Sequence, residues 1–319
     1  MRRATVKNDL APSDETRARA TLCATIKRSL ATMAQIHPTL LRLSRGATLV
    51  LDGGTSAALA RHGYHPTGPL RDAPAARDAP DVLATVHREF ADAGVDLLTA
   101  WTASTSARAL ARGGFGMRAA AITHRAMDLA AEEAASADHP ILVASALGPL
   151  GIERDRLSMR VAHDEHKEQV ARIASGGGSL CLIESMPTFE ETLAATSVAA
   201  VAIPETWVTL SLDAQGALLD GTDLTRAVRG CSAVGARLVI LSAATMGPLH
   251  EALERAQTCA SGVFVGVRVH VTQDTAPERF ASSLGACITR GAHVVGGSGH
   301  VTGAHVRALS EFVRARRAA

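Results

Sequence analysis

A single (β/α)8 barrel preceded by an N-terminal helical arm is the fold this sequence predicts, on three observations. Eight short apolar runs recur between residues 47 and 297, and stretches of helical periodicity separate them. Strands that alternate with helices build βαβ units and a parallel sheet, and eight such units close a barrel. The apolar fraction is 47% but aromatic residues make up only 3%. The core must therefore be packed with Val, Leu, Ile and Ala, the mixture that strands buried on both faces favour.

Residues 1–45 read as the arm. They are rich in Arg, Ala and Thr, hold three acids (Asp9, Asp14 and Glu15), and show weak helical periodicity over 14–44. A solvated helix that packs or frays outweighs a basic anchor or targeting segment. The barrel takes residues 46–319. Its strands are read in ATLVLD, VDLLTAW, ILVASALG, SLCLIES, WVTLSLD, RLVILSA, VFVGVRVHV and AHVVGG. Helical patterns follow at 81–93, 117–135, 164–175, 188–200, 222–234, 248–259, 276–289 and 300–316. A doubly wound open sheet is the alternative, but LDGGTSAAL lacks the G-x-G-x-x-G spacing of a dinucleotide site.

Composition narrows the partners. The formal net charge is only +2 and aromatics are scarce, which leaves neither an electrostatic footprint nor a stacking platform for nucleic acid. Cys23, Cys181, Cys231, Cys259 and Cys287 are widely spaced and odd in number, against a disulfide framework or a zinc ribbon. A reducing cytoplasm fits them. No apolar run approaches the roughly 18 residues of a membrane span, and no signal peptide opens the chain. A small-molecule substrate is the expected partner; a homo-oligomer is allowed, although no residue specifies one.

In such a barrel, function gathers at the carboxyl ends of the strands. Those ends carry Asp52, Gly53 and Gly54; Thr99 and Thr102; Ser145 and Gly148; Glu184; Asp213; Ala243 and Ala244; His270; and residues 296–300. Asp52 and Glu184 stand out, because an unpaired carboxylate directly after an apolar strand is costly unless it meets a ligand or a cation. A structural ion pair or cap would satisfy the same demand.

Several of these segments together resemble the homocysteine S-methyltransferases, a family of betaine-, S-methylmethionine- and folate-dependent enzymes. LDGGTSAALARHGY is similar to its first strand and following helix. VHREFADAGVDLLTAWTASTSARAL is similar to its second strand, SALGPLG to the loop after the third, LIESMPTFEETLAA to the fourth strand with its Glu, and LDGTDL to the loop before the fifth helix. The resemblance covers about residues 47–312. It implies that an amino-acid acceptor is held by Asp52, Gly53, Thr102 and Glu184, with Glu184 on the ammonium group. An ionised pair is the stronger hydrogen-bonding arrangement there.

The chain departs from that family where metal binding is implied. The Asn-Cys pair after strand six becomes Ala243-Ala244, and the two adjacent Cys after strand eight become Ser298 and Gly299. No metal or other cofactor is expected. A free thiol has a pKa near ~8.5 and is only slightly ionised at neutral pH, whereas a metal-bound thiol is deprotonated. Ser104 stands where the betaine branch carries Tyr, on the methyl-donor side. His270 and His300 are candidate general bases, since imidazole titrates near pH ~6.5. A histidine metal site drawing on His270, His300 and His305 is a lesser alternative, as is an anion site in the GGSGH turn. The leading expectation is a zinc-independent enzyme, with methyl transfer as its reaction type, acting on an amino-acid or sulfonium-type substrate. The alternative is a catalytically inactive ligand-binding or scaffold homologue.

Overall fold

The computed structural model describes residues 37–67, 70, 72–151, 158–184 and 186–318. The expected arm lies outside the described residues over 1–36, and helix α1 (Pro38–Ser44) follows them. Leu43–Ala319 forms one compact unit that holds all the strands.

The strands are β1 (Leu49–Val50), β2 (Leu97–Ala100), β3 (Leu142–Leu147), β4 (Leu180–Ile183), β5 (Glu205–Leu212), β6 (Leu238–Ala243), β7 (Phe264–Val271) and β8 (Val294–Gly299). They form one parallel sheet in the order β1-β8-β7-β6-β5-β4-β3-β2. A parallel bridge between Leu51 and Leu97 joins its two edges. Asp52 N donates to Leu97 O at 3.2 Å and Asp96 N to Val50 O at 2.8 Å across the same seam. The sheet is thus a closed barrel, and the open doubly wound alternative falls away.

Around it lie the eight helices the periodicity calls for, with shifted ends: α4 (Pro80–Asp92), α6 (Ala119–Ser136), α7 (Met159–Ser175), α8 (Phe189–Ala202), α9 (Leu224–Ala233), α10 (Gly247–Cys259), α11 (Pro277–Thr289) and α12 (Gly303–Ala318). The starts follow local chemistry. Ser158, Thr188 and Asp223 accept backbone N–H bonds from Val161, Glu191 and Arg226 in the first turns of α7, α8 and α9, satisfying donors that a helix start leaves open. Pro80 and Pro277 open α4 and α11, where a missing N–H costs nothing. Three short helices were not legible in the pattern: α2 (Thr55–Arg61), α3 (Ala75–Asp78) and α5 (Ala107–Ala111). Segments of that length do not display a period. No helix among the described residues is long and apolar enough to cross a membrane.

Two cores result from the alternation of strand side chains. Leu49, Leu51, Leu97, Ala144, Leu180, Leu182, Trp207, Leu238, Ile240 and Val294 fill the barrel. The other face of the strands, with Val208, Leu210, Val265, Val267, Val269 and Val295 among them, packs against the helices. Trp207 is fully buried, and its indole N–H donates to Glu205 Oε1 at 2.7 Å near the amino-terminal end of the barrel. The carboxyl ends of the strands remain as the open mouth.

Candidate active site

Asp52 follows β1 and is buried. Its carboxylate accepts from Thr99 N at 2.7 Å and from Thr99 Oγ1 at 2.6 Å. Burial pushes its pKa up to about 6 against the lowering effect of those two bonds, with the charge of Glu184 raising it further and that of Arg268 opposing. Asp52 therefore ties β1 to β2 at the barrel seam while sharing an electrostatic environment with both residues.

Gly53 sits where the chain leaves β1 against β8. A Cβ built on it would lie 1.9 Å from Gly297 O, so only glycine allows that backbone approach. Gly299, with φ +73°, makes the matching turn on β8, and a Cβ there would fall 2.3 Å from the His270 ring.

Thr102 is buried, and its hydroxyl donates to Ala146 O at 2.7 Å. Its own carbonyl accepts from Gln169 at 2.8 Å and from Thr105 at 2.9 Å. Those bonds make Thr102 a pin between β2, β3 and α7. The threonine beside Asp52 is Thr99, three residues earlier on the inner face of β2.

Glu184, at the end of β4, pairs with the Arg268 guanidinium of β7. Arg268 Nε also donates to Gly297 O at 3.2 Å. Val265, Val267, Val269 and Val271 pack outward against the helices while Phe264 packs in the barrel, so Gly266, Arg268 and His270 face the lumen. With β5 and β6 lying between β4 and β7, the pair bridges the mouth from strands that are not neighbours. Each side chain keeps 16% exposure. Sequence reasoning missed Arg268 by inspecting strand ends alone; the alternation in VFVGVRVHV was the available signal.

His270 and His300 are exposed. His270 lies in register with Ser298, and His300 N donates to Val271 O at 2.9 Å, which places both at the β7–β8 side of the mouth. His305 is engaged elsewhere, with Thr302 Oγ1 at 2.8 Å and Thr275 O at 2.8 Å. Among the described residues no group of three or more His, Cys, Asp or Glu is arranged to hold a metal ion. The histidine-site alternative thus has no geometry behind it. The anion-site reading fares similarly: β8 runs on through Gly299, and the amide at the start of α12, Gly303 N, donates to the Glu89 carboxylate at 2.6 Å.

The residues present do not fit a thiolate-bound metal. Ala243 ends β6 with Ala244 directly after it, and Ser298 and Gly299 close β8. Cys181 packs outward from β4, while Cys231, Cys259 and Cys287 lie in α9, α10 and α11. Burial pushes the Cys181 and Cys231 thiols up to about 12 and the Cys287 thiol to about 11. Cys23 lies outside the described residues.

The family model described as homocysteine S-methyltransferase matches residues 49–313, from β1 into α12. The chain belongs to the homocysteine S-methyltransferase family. Among its relatives are the selenocysteine Se-methyltransferase of Brassica oleracea var. italica, 22% identical over 168 residues (44% of this chain, 49% of the relative), and homocysteine S-methyltransferase 2 of Arabidopsis thaliana, 24% identical over 170 residues (44% and 51%). The chain spans about half the length of these curated relatives. The metallated form of the homocysteine methyltransferase MmuM from Escherichia coli shares the fold, with TM-score 0.74 and 20% identity over 86% of this chain and 99% of that one. The barrel that the residue pattern called for, and the family that the strand-end motifs resemble, are therefore those of the chain.

Proposed function

We propose that this chain transfers a methyl group from a sulfonium-type donor to a small amino-acid acceptor without a thiolate-bound zinc ion, with residues 1–45 as an arm and 46–319 as the catalytic barrel. The observation that carries the reading is the composition of the mouth. Asp52 and Glu184 stand at the strand ends beside Arg268, while Ala244, Ser298 and Gly299 occupy the positions where the family's resemblance implies thiolates.

With no metal to ionise it, a thiol acceptor stays mostly protonated at neutral pH. An acceptor already ionised there, such as the selenol named in one relative, is favoured. In the step itself the acceptor's lone pair forms the new bond to the methyl carbon. The carbon–sulfur bond of the donor breaks with its electron pair on sulfur, and the donor leaves as a neutral thioether. The acceptor's proton, where it has one, passes to an imidazole at the rim, His270 or His300. The free cysteines among the described residues suit a reducing compartment, the cytoplasm.

Turnover tests this directly. The purified chain is given homocysteine or selenocysteine as acceptor, with S-methylmethionine, S-adenosylmethionine or betaine as donor, with and without a chelator. The expected result is transfer from a sulfonium donor, faster to the selenol and unchanged by the chelator. Activity that chelation abolishes and zinc restores overturns the zinc-independent reading. Thermal stabilisation by an amino acid with no turnover assigns the chain to ligand binding instead.

A further inference from the structure

We propose that Arg268 takes the carboxylate of the amino-acid head group whose ammonium the family resemblance assigns to Glu184, the two side chains reading the head group together across their intact ion pair. This rests on the reading above only in that the ligand is an amino acid, and it assigns Arg268 a role as a specificity-determining residue.

The argument begins with what each side chain leaves open. A guanidinium carries five N–H donors on three nitrogens, and an ionised carboxylate accepts on both oxygens. Arg268 spends Nε on Gly297 O and Nη1 on Glu184 Oε1; Nη2 donates to no described residue. Glu184 Oε2 likewise accepts from none. Three unspent donors, two of them on Nη2, and an unspent acceptor oxygen therefore lie on a pair that is partly exposed at the mouth.

A group carrying an ammonium and a carboxylate on one carbon completes this arrangement. Its carboxylate meets Nη2, its ammonium meets Oε2, and four charges alternate in sign. A ligand with only one of the two charges leaves one terminus open and unbalances the pair.

The surroundings hold the reader in place. The Nε bond to Gly297 O fixes the plane of the guanidinium, which pre-organises its fork. The Asp52 carboxylate is buried, and each of its oxygens accepts one bond from Thr99. On neighbouring strands the register partners of Arg268 are Ser242 and Gly296, both small. Thr209 follows Val208, the register partner of Ile183, and its buried hydroxyl has no partner among the described residues.

Calorimetric titration of the full chain, with no methyl donor present, tests the inference. The probes are homocysteine, its desamino analogue 4-sulfanylbutanoate and its decarboxy analogue 3-sulfanylpropan-1-amine. Wild type is expected to bind homocysteine about ten-fold or more tightly than either analogue, as charged hydrogen bonds warrant. Arg268→Gln should bind homocysteine and the amine equally, and Glu184→Gln homocysteine and the desamino acid equally. Arg268→Lys, which keeps the charge but loses the fork, should fall between. Wild type binding either analogue as tightly as homocysteine, or failing to bind homocysteine, overturns the inference even if a variant does not fold. So does an Arg268→Gln protein that keeps its preference for the carboxylate. Because no donor is present, selective binding without later turnover leaves the reader standing and removes only the enzymatic reading.

Discussion

Replacing Glu205 by Gln should stabilise the barrel at and above neutral pH and flatten its pH dependence. Glu205 is fully buried at the start of β5, where Oε1 accepts the Trp207 indole bond at 2.7 Å and Oε2 has no partner among the described residues. Burial pushes its pKa from 4.5 up to about 7, against the lowering effects of Trp207 and the Arg237 charge. A carboxyl that holds its proton more tightly when folded than when unfolded leaves stability untouched below the unfolded value. It removes stability as pH rises toward the folded value, and the loss levels off above about 7. The displacement corresponds to about 3 kcal/mol at most. Glutamine keeps the acceptor for Trp207 and never ionises. Wild type and Glu205→Gln should therefore melt nearly together at pH 4.5, and the variant should melt roughly 5–10 °C higher at pH 8. Thermal unfolding followed by circular dichroism across that range is the assay. Asp52, raised to about 6, acts with the same sign in both proteins, so their difference isolates Glu205. A gap of equal size at both pH values would refute the reasoning.

Other perturbations follow from the seam and the mouth. Thr99→Val removes the hydroxyl bond that lowers the Asp52 pKa. It should cost about 1–2 kcal/mol at pH 7.5 and less at pH 5, where the carboxyl accepts a proton more readily, as denaturant titrations at the two pH values would reveal. Gly53→Ala forces a Cβ to 1.9 Å from a backbone oxygen and should cost about 3 kcal/mol or more, or prevent soluble expression. Gly247→Ala, at the start of α10 with nothing within 4 Å of the added atom, should be neutral or slightly stabilising in the same melting experiment.

Most of the barrel is legible in the sequence because its evidence is local. Each strand shows as a short apolar run, and the longer helices show a period. Closure is implied by the number of units and becomes visible only at Leu51–Leu97, where one bridge and two backbone bonds join strands far apart in sequence. The short helices α3 and α5 escape because they complete too few turns, and α2 is reached only through the family resemblance of LDGGTSAALARHGY. The candidate site divides along the same line. Asp52, Gly53 and Glu184 can be found as residues that end apolar strands, but what each one meets depends on neighbours across the lumen. The strand-end rule finds Thr99 and Thr102 equally well, and their hydroxyls then go to different places, one to Asp52 and the other to Ala146 O.

Arg268 is the clearest case of information that becomes readable only once the barrel closes. Within VFVGVRVHV it looks like a polar interruption of a buried strand, and a surface position would account for it. Register turns the residue inward, and closure brings β7 opposite β4, 84 residues away along the chain. The charge of Glu184 is then met inside the protein rather than by ligand alone. A substrate arriving at this mouth meets a balanced pair with guanidinium donors and a carboxylate oxygen to spare, not a bare carboxylate. Arg268 thereby adds a site for the carboxylate to the ammonium contact that the family resemblance already implies for Glu184. That site arises from one long-range contact, which sets the guanidinium of β7 against the carboxylate at the end of β4.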